Sequence, residues 1–232
     1  MKKTILSACA LAASAGLASA DVYADSTGEV FDAGFTHLDI SSVTLSNDAD
    51  WLYITAQMQG DLDATTWGKY AIGIDTGKFV GSNSNGWGRN IDWGRNITHW
   101  SATWTDDGGS GAGGELYTWD GGAWVLDGAT YQPAPTIIQG DASLHFVGIQ
   151  KWQISLAELG VSVGDTIEFD VITTAGGGTD PGVDHLSRAD QSTPFWDTQS
   201  VAGDFLSYTI VPAPGSVALL GLGGLVAARR RR

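Results

Sequence analysis

Residues 51–59, WLYITAQMQ, alternate apolar and polar side chains without a break. Leu52, Ile54, Ala56 and Met58 share one side, and Trp51, Tyr53, Thr55 and Gln57 the other. Successive side chains of a strand point to opposite faces, so the stretch reads as a strand with one side in a core. A helix would scatter the same four apolar side chains around its circumference. Leu38, Ile40, Val43 and Leu45 precede it, and Asn47-Asp48-Ala49-Asp50 supplies a turn between the two runs.

The pattern recurs along the chain. Strands are expected over Tyr70 to Ile74, Ser143 to Ile149, Ile167 to Thr174 and Leu206 to Val211. Leu116 to Trp119 and Ala123 to Leu126 flank Asp120-Gly121-Gly122, whose glycines allow the positive φ of a tight hairpin. The one helix signal is a capping box at Ser155 and Glu158, closed within a turn by Leu159-Gly160. Short strands, 32 glycines and almost no helix predict an all-β fold. The expected architecture is one antiparallel, jelly-roll-like β-sandwich over residues 21–210.

Both ends read as addresses. Residues 1–20 place Lys2 and Lys3 before a short apolar stretch, then Ala18-Ser19-Ala20 before Asp21, the pattern of a secretory signal peptide cut after Ala20. Cys9 is the only cysteine, so the exported chain would hold no disulfide. At the other end, residues 211–232 run from Val211-Pro212-Ala213-Pro214 through an apolar stretch, Gly215 to Ala228, to four arginines. Fourteen helical residues span about 21 Å, short of the roughly 30 Å hydrocarbon core, so membrane contact is expected to be transient.

This tail resembles the PEP-CTERM sorting signal in its order of Pro-x-Pro, apolar stretch and Arg cluster. The resemblance implies processing near Pro212 and Pro214 by an exosortase-type enzyme and release or attachment at the cell surface. Ala213 stands where that family usually has Glu. The body adds VTLSNDADWLYITAQMQGDL, YAIGIDTG, ELYTWDGGAWV and WQISLAELGVSVGDTIEFDVITTAGGGTDPGVDHLS. In that order these segments resemble the DOMON-like, glucodextranase-type sandwiches, relatives in shape of carbohydrate-binding modules. That resemblance implies ligand binding or surface structure without catalysis.

The most unusual local feature is a tandem repeat, Trp87-Gly88-Arg89-Asn90-Ile91 and Trp93-Gly94-Arg95-Asn96-Ile97. If the segment is extended, the period of six puts Trp87 and Trp93 on one side together with Arg89 and Arg95. Flat indoles suit the C–H faces of sugars, and Arg89, Asn90, Arg95 and Asn96 could hydrogen-bond hydroxyls. The competing expectation is that the indoles anchor a crossing loop while the arginines pair with Asp. Trp100, Trp104, Trp119 and Trp124 could extend such a platform, or pack a core.

Acidic residues suggest calcium, which takes six to eight oxygens. The candidates are Asp180, Asp184 and Asp190 in a glycine-rich loop, with Asp61 and Asp63, and Asp106 and Asp107, as further pairs. The four His show no zinc spacing, and no nucleophile-elbow, P-loop or dinucleotide motif occurs. Met58 reads as packing rather than as a haem ligand. With 12 basic and 26 acidic residues the chain carries −14, and −20 once the six terminal basic residues are removed. Such a body repels phosphate backbones, so nucleic acid is not an expected partner. The expectation is an exported, surface-sorted, non-catalytic sandwich that binds glycan or builds extracellular matrix. The alternative is a calcium-stabilised structural or adhesion domain, and a third possibility is a glycoside-active enzyme.

Overall fold

A computed structural model describes residues 20–105, 112–133 and 136–213. The leader at residues 1–19, the tail from Pro214 onward, and Asp106 and Asp107 lie outside the described residues. The strands are β1 (Ala20–Ala24), β2 (Ile40–Asn47), β3 (Trp51–Met58), β4 (Lys69–Asp75), β5 (Ile91–Asp92), β6 (His99–Trp104) and β7 (Gly113–Trp119). They continue as β8 (Trp124–Ala129), β9 (Ile138–Asp141), β10 (Ile149–Ser155), β11 (Thr166–Thr174), β12 (Asp184–His185), β13 (Ser200–Val201) and β14 (Leu206–Thr209).

Two antiparallel sheets form the sandwich. One has the order β1-β2-β3-β10-β9, and the other β12-β11-β4-β6-β7-β8, with β14 on the remaining half of β11. The alternating side chains of β3 do what their period requires: Leu52, Ile54, Ala56 and Met58 are buried against Ile72, Ile74, Phe169 and Val171 of the facing sheet. The spacing of three between Ile40 and Val43, odd for a strand, is a β-bulge opposite Met58 and Gln57. In the β7–β8 hairpin Gly121 sits at φ 100°, and Asp120 Oδ1 accepts from the N–H of Gly122 and Ala123.

One expectation is corrected. The strand read over Ser143 to Ile149 starts only at Ile149 and runs to Ser155; residues His145–Val147 form a 3-10 turn ended by Gly148 at φ 78°. Its apolar residues Phe146 and Val147 are exposed, so the alternation there was coincidental. The capping-box segment makes the single turn expected of it, with the Leu159 N–H on the Ser155 carbonyl.

The outer face of the second sheet carries a core of its own. The long β4–β6 connection crosses it and lays Ile91, Trp93 and Ile97 on Ala71, Trp100, Ala102 and Ile172. Gly73 makes room: a Cβ there would lie 3.1 Å from the Trp93 ring.

The two ends of the strands differ in what they carry. Ala20 pairs with Ser46, and Val211 is held by Asn47, whose Nδ2 donates to its carbonyl and whose Oδ1 accepts from its N–H. Both predicted processing points, Ala20 and Pro212, therefore sit at one pole. The other pole begins at Ile40, seven residues back along β2, or roughly 23 Å away.

Candidate functional site

The WGRNI repeat does not form one exposed platform. Gly88 and Gly94 adopt φ values of 66° and 63°, so each copy turns at its glycine and the extended-strand geometry is lost. Trp93 is 1% exposed, against Trp100, Phe205 and His185. A ring so placed cannot stack on a ligand. Trp87 is half-buried, its Nε1 donating to Glu115 Oε2 at 2.6 Å. Arg89 is 8% exposed and lies 5.2 Å over the Trp87 ring; burial lowers its pKa, with Asp180 pulling the other way. Arg95 binds Asp75 at 2.7 Å and Glu168, and covers Phe205. Asn90 is half-buried, its N–H donating to Asp180 and its carbonyl accepting from Ser200. Of the six candidate side chains only Asn96 is exposed. The repeat is thus largely the anchor of the crossing loop.

An open groove lies at the seam where β9 meets β7 and β8. Trp104, Thr130, Tyr131, Gln132, Gln139 and Asp141 line a cavity of about 690 Å³. A smaller one of about 210 Å³ shares Gln139 and Asp141 and continues over Tyr53, Thr55, Lys151 and Gln153. The Trp104 indole covers Gly113, where a Cβ would fall within 2.4 Å of it. Beside the groove, Glu115 accepts from Trp87, Tyr117 and Tyr131, which pushes the Tyr131 hydroxyl up to about 12. One carboxylate thereby fixes three aromatic side chains.

The acidic candidates separate. Asp190 pairs with Arg188 through both oxygens. Asp180 closes its own loop by accepting from the Gly177 N–H at 2.6 Å. Asp61 caps the 3-10 turn Leu62–Ala64. Among the described candidates only Asp184 enters a carboxylate cluster; its companions are Asp25 and Glu29, and one oxygen from each of the three lies within 4.8 Å of the other two. Asp184 is 2% exposed and accepts from the Ile40 N–H at 2.6 Å and its neighbour's N–H at 2.8 Å. Burial pushes Asp25 up to about 8, with Glu29, Asp170 and Asp39 adding to it. Burial likewise raises Glu29, Asp39 and, strongly, Asp184. Asp25 and Glu29 escaped the sequence reading because they follow β1 by one and five residues, 155 or more positions from Asp184. Only the pairing of the sheets brings them together.

A further constellation was missed. His185 Nδ1 lies 2.7 Å from Asp170 Oδ2, and His185 Nε2 lies 3.0 Å from Ser200 Oγ. The atoms match a Ser-His-Asp relay. All three side chains are fully buried, however, and Ser200 Oγ already accepts from the Gly182 N–H. A hydroxyl there cannot reach a substrate unless β13 moves, so its evident work is to hold the 180–203 loop on β11.

No family model matches the chain, and no curated protein matches it in sequence.

Proposed function

We propose that the protein is exported, sorted to the cell surface and acts there as a non-catalytic sandwich that binds extracellular polysaccharide. The observation that carries this reading is the groove at the β9 seam. It combines indole and phenol rings with amide, hydroxyl and carboxylate groups, the mixture that sugar rings and their hydroxyls need. Trp104 and Tyr131 supply the apolar surface, and Gln132, Gln139 and Asp141 the hydrogen bonds. This moves the glycan reading from the repeat to a groove that Trp104 and Tyr131 help to line. The leader and the Pro-x-Pro tail support export and an exosortase-type processing partner.

A glycan array probed with wild type and Trp104→Ala tests it. Stacking on an aromatic ring is worth about 1–3 kcal/mol for a nucleobase. On that scale the variant should bind roughly 5- to 150-fold more weakly. Absence of any glycan that binds wild type, or equal binding by both, would sink the reading. The acidic cluster favours a second reading, a cation-stabilised structural or adhesive domain.

A further inference from the structure

We propose that Asp25, Glu29 and Asp184 bind one calcium ion that staples the two sheets at their shared edge. The inference is independent of the groove, which opens at the opposite edge. Asp25 directly follows β1 of one sheet, whereas Asp184 opens β12 of the other. Glu29 reaches in from the loop between β1 and β2.

Oxygens bound to one calcium ion at 2.3–2.6 Å can be no more than about 5 Å apart. The three carboxylates already satisfy that limit. A second observation points to a missing cation. Asp25 Oδ2 and both Glu29 oxygens are out of solvent and have no partner that meets hydrogen-bond geometry, although the Glu29 N–H and the Ser26 hydroxyl lie near enough to oppose the rise of the Glu29 pKa. Asp39, 3% exposed, stands beside them with Oδ1 likewise unpartnered, and its charge bears on both Asp25 and Glu29. Its other oxygen accepts from the Gly28 N–H, so it also fixes the loop that carries Glu29. Among the described residues no Lys, Arg or His forms an ion pair with any of these four.

Buried carboxylates must be neutralised by protons, a basic side chain or a metal. An all-oxygen set with no His or Cys selects a hard cation over zinc. The exported chain has no cysteine. A cation across the sheet edge therefore does the work that a disulfide does in many secreted domains.

The test uses the purified protein stripped with EDTA and titrated with calcium chloride, followed by calorimetry and thermal unfolding. One ion should bind per chain. At calcium a hundredfold above Kd the folded-to-unfolded ratio rises about a hundredfold, and Tm by roughly 5–10 °C. Asp25→Asn with Glu29→Gln should abolish both effects while leaving the metal-free protein at least as stable, because repulsion is relieved. Should the double variant fail to fold, Glu29→Gln alone, which keeps an acceptor oxygen in place, should weaken calcium binding at least tenfold. No binding up to about 10 mM, well above the affinities of extracellular calcium modules, would overturn the proposal. So would unchanged calcium binding in Glu29→Gln and the double variant.

Discussion

His185 Nδ1 meets Asp170 Oδ2 at 2.7 Å inside a sheet edge where neither side chain touches solvent. Asp170 also accepts from the Ser187 N–H through its other oxygen. The pair thus joins β11, β12 and the loop beyond. Asp170→Ala leaves His185 Nδ1 and the Ser187 N–H without partners. Each orphaned buried group costs about 1–3 kcal/mol, so a loss of roughly 2–6 kcal/mol is expected. Urea unfolding at fixed calcium measures it, and a loss under 1 kcal/mol would refute the role of this pair in holding the 180–203 loop on β11.

Trp93 and Trp87 should respond differently to truncation, although they occupy the same place in the repeat. Trp93→Ala removes a fully buried indole from the outer core and should cost about 3–5 kcal/mol. Trp87 is half-buried and should cost less, while its loss frees Glu115 from one donor. Parallel thermal scans of both variants check the order. Equal costs would mean that the two copies are packed alike.

The sandwich was legible because its strands announce themselves. Leu52 to Met58 alternate, and Asp120-Gly121-Gly122 marks its hairpin, each through forces local to the segment. The sites were not legible in the same way. Placing Trp87 and Trp93 on one side rests on an extended backbone, and two left-handed glycines remove that premise. Asp184 was found as an acidic loop residue, but its partners come from the first strand's exit. No local spacing encodes a contact made by two sheets closing on each other. Asp170, His185 and Ser200 were invisible for the same reason.

Processing should leave the fold intact. Cutting after Ala20 removes one residue from β1 and retains the pairs from Asp21↔Leu45 to Ala24↔Ser42. Cutting near Pro212 leaves Val211 on Asn47. Intact-mass measurement of protein recovered from the source cells should give a chain that begins at Asp21 and lacks Arg229 to Arg232. A mass that includes the arginines would refute cleavage of the tail.

Acid should weaken the fold through His99. This side chain is 1% exposed on the inner side of β6, and burial lowers its pKa from 6.5 to about 4 against weaker opposing contributions from the Glu158 backbone and Asp75. The folded state therefore holds His99 neutral, while the unfolded chain takes up a proton near pH 6.5. Between those two values the unfolded state binds more protons, so stability falls as pH falls. The contribution is complete above pH 6.5 and gone below about pH 4. A tenfold difference in proton affinity is about 1.4 kcal/mol, which makes the loss on the order of 3 kcal/mol. His99 pairs with Ile74, at the end of β4 away from the acidic cluster, so the two should titrate independently. The measurement is unfolding free energy against pH for wild type and His99→Gln, both in saturating calcium. The difference between the two curves should shrink toward acid by about that amount. A difference that stays constant from pH 7 to pH 4 would show that His99 takes up its proton equally in the folded and unfolded chains.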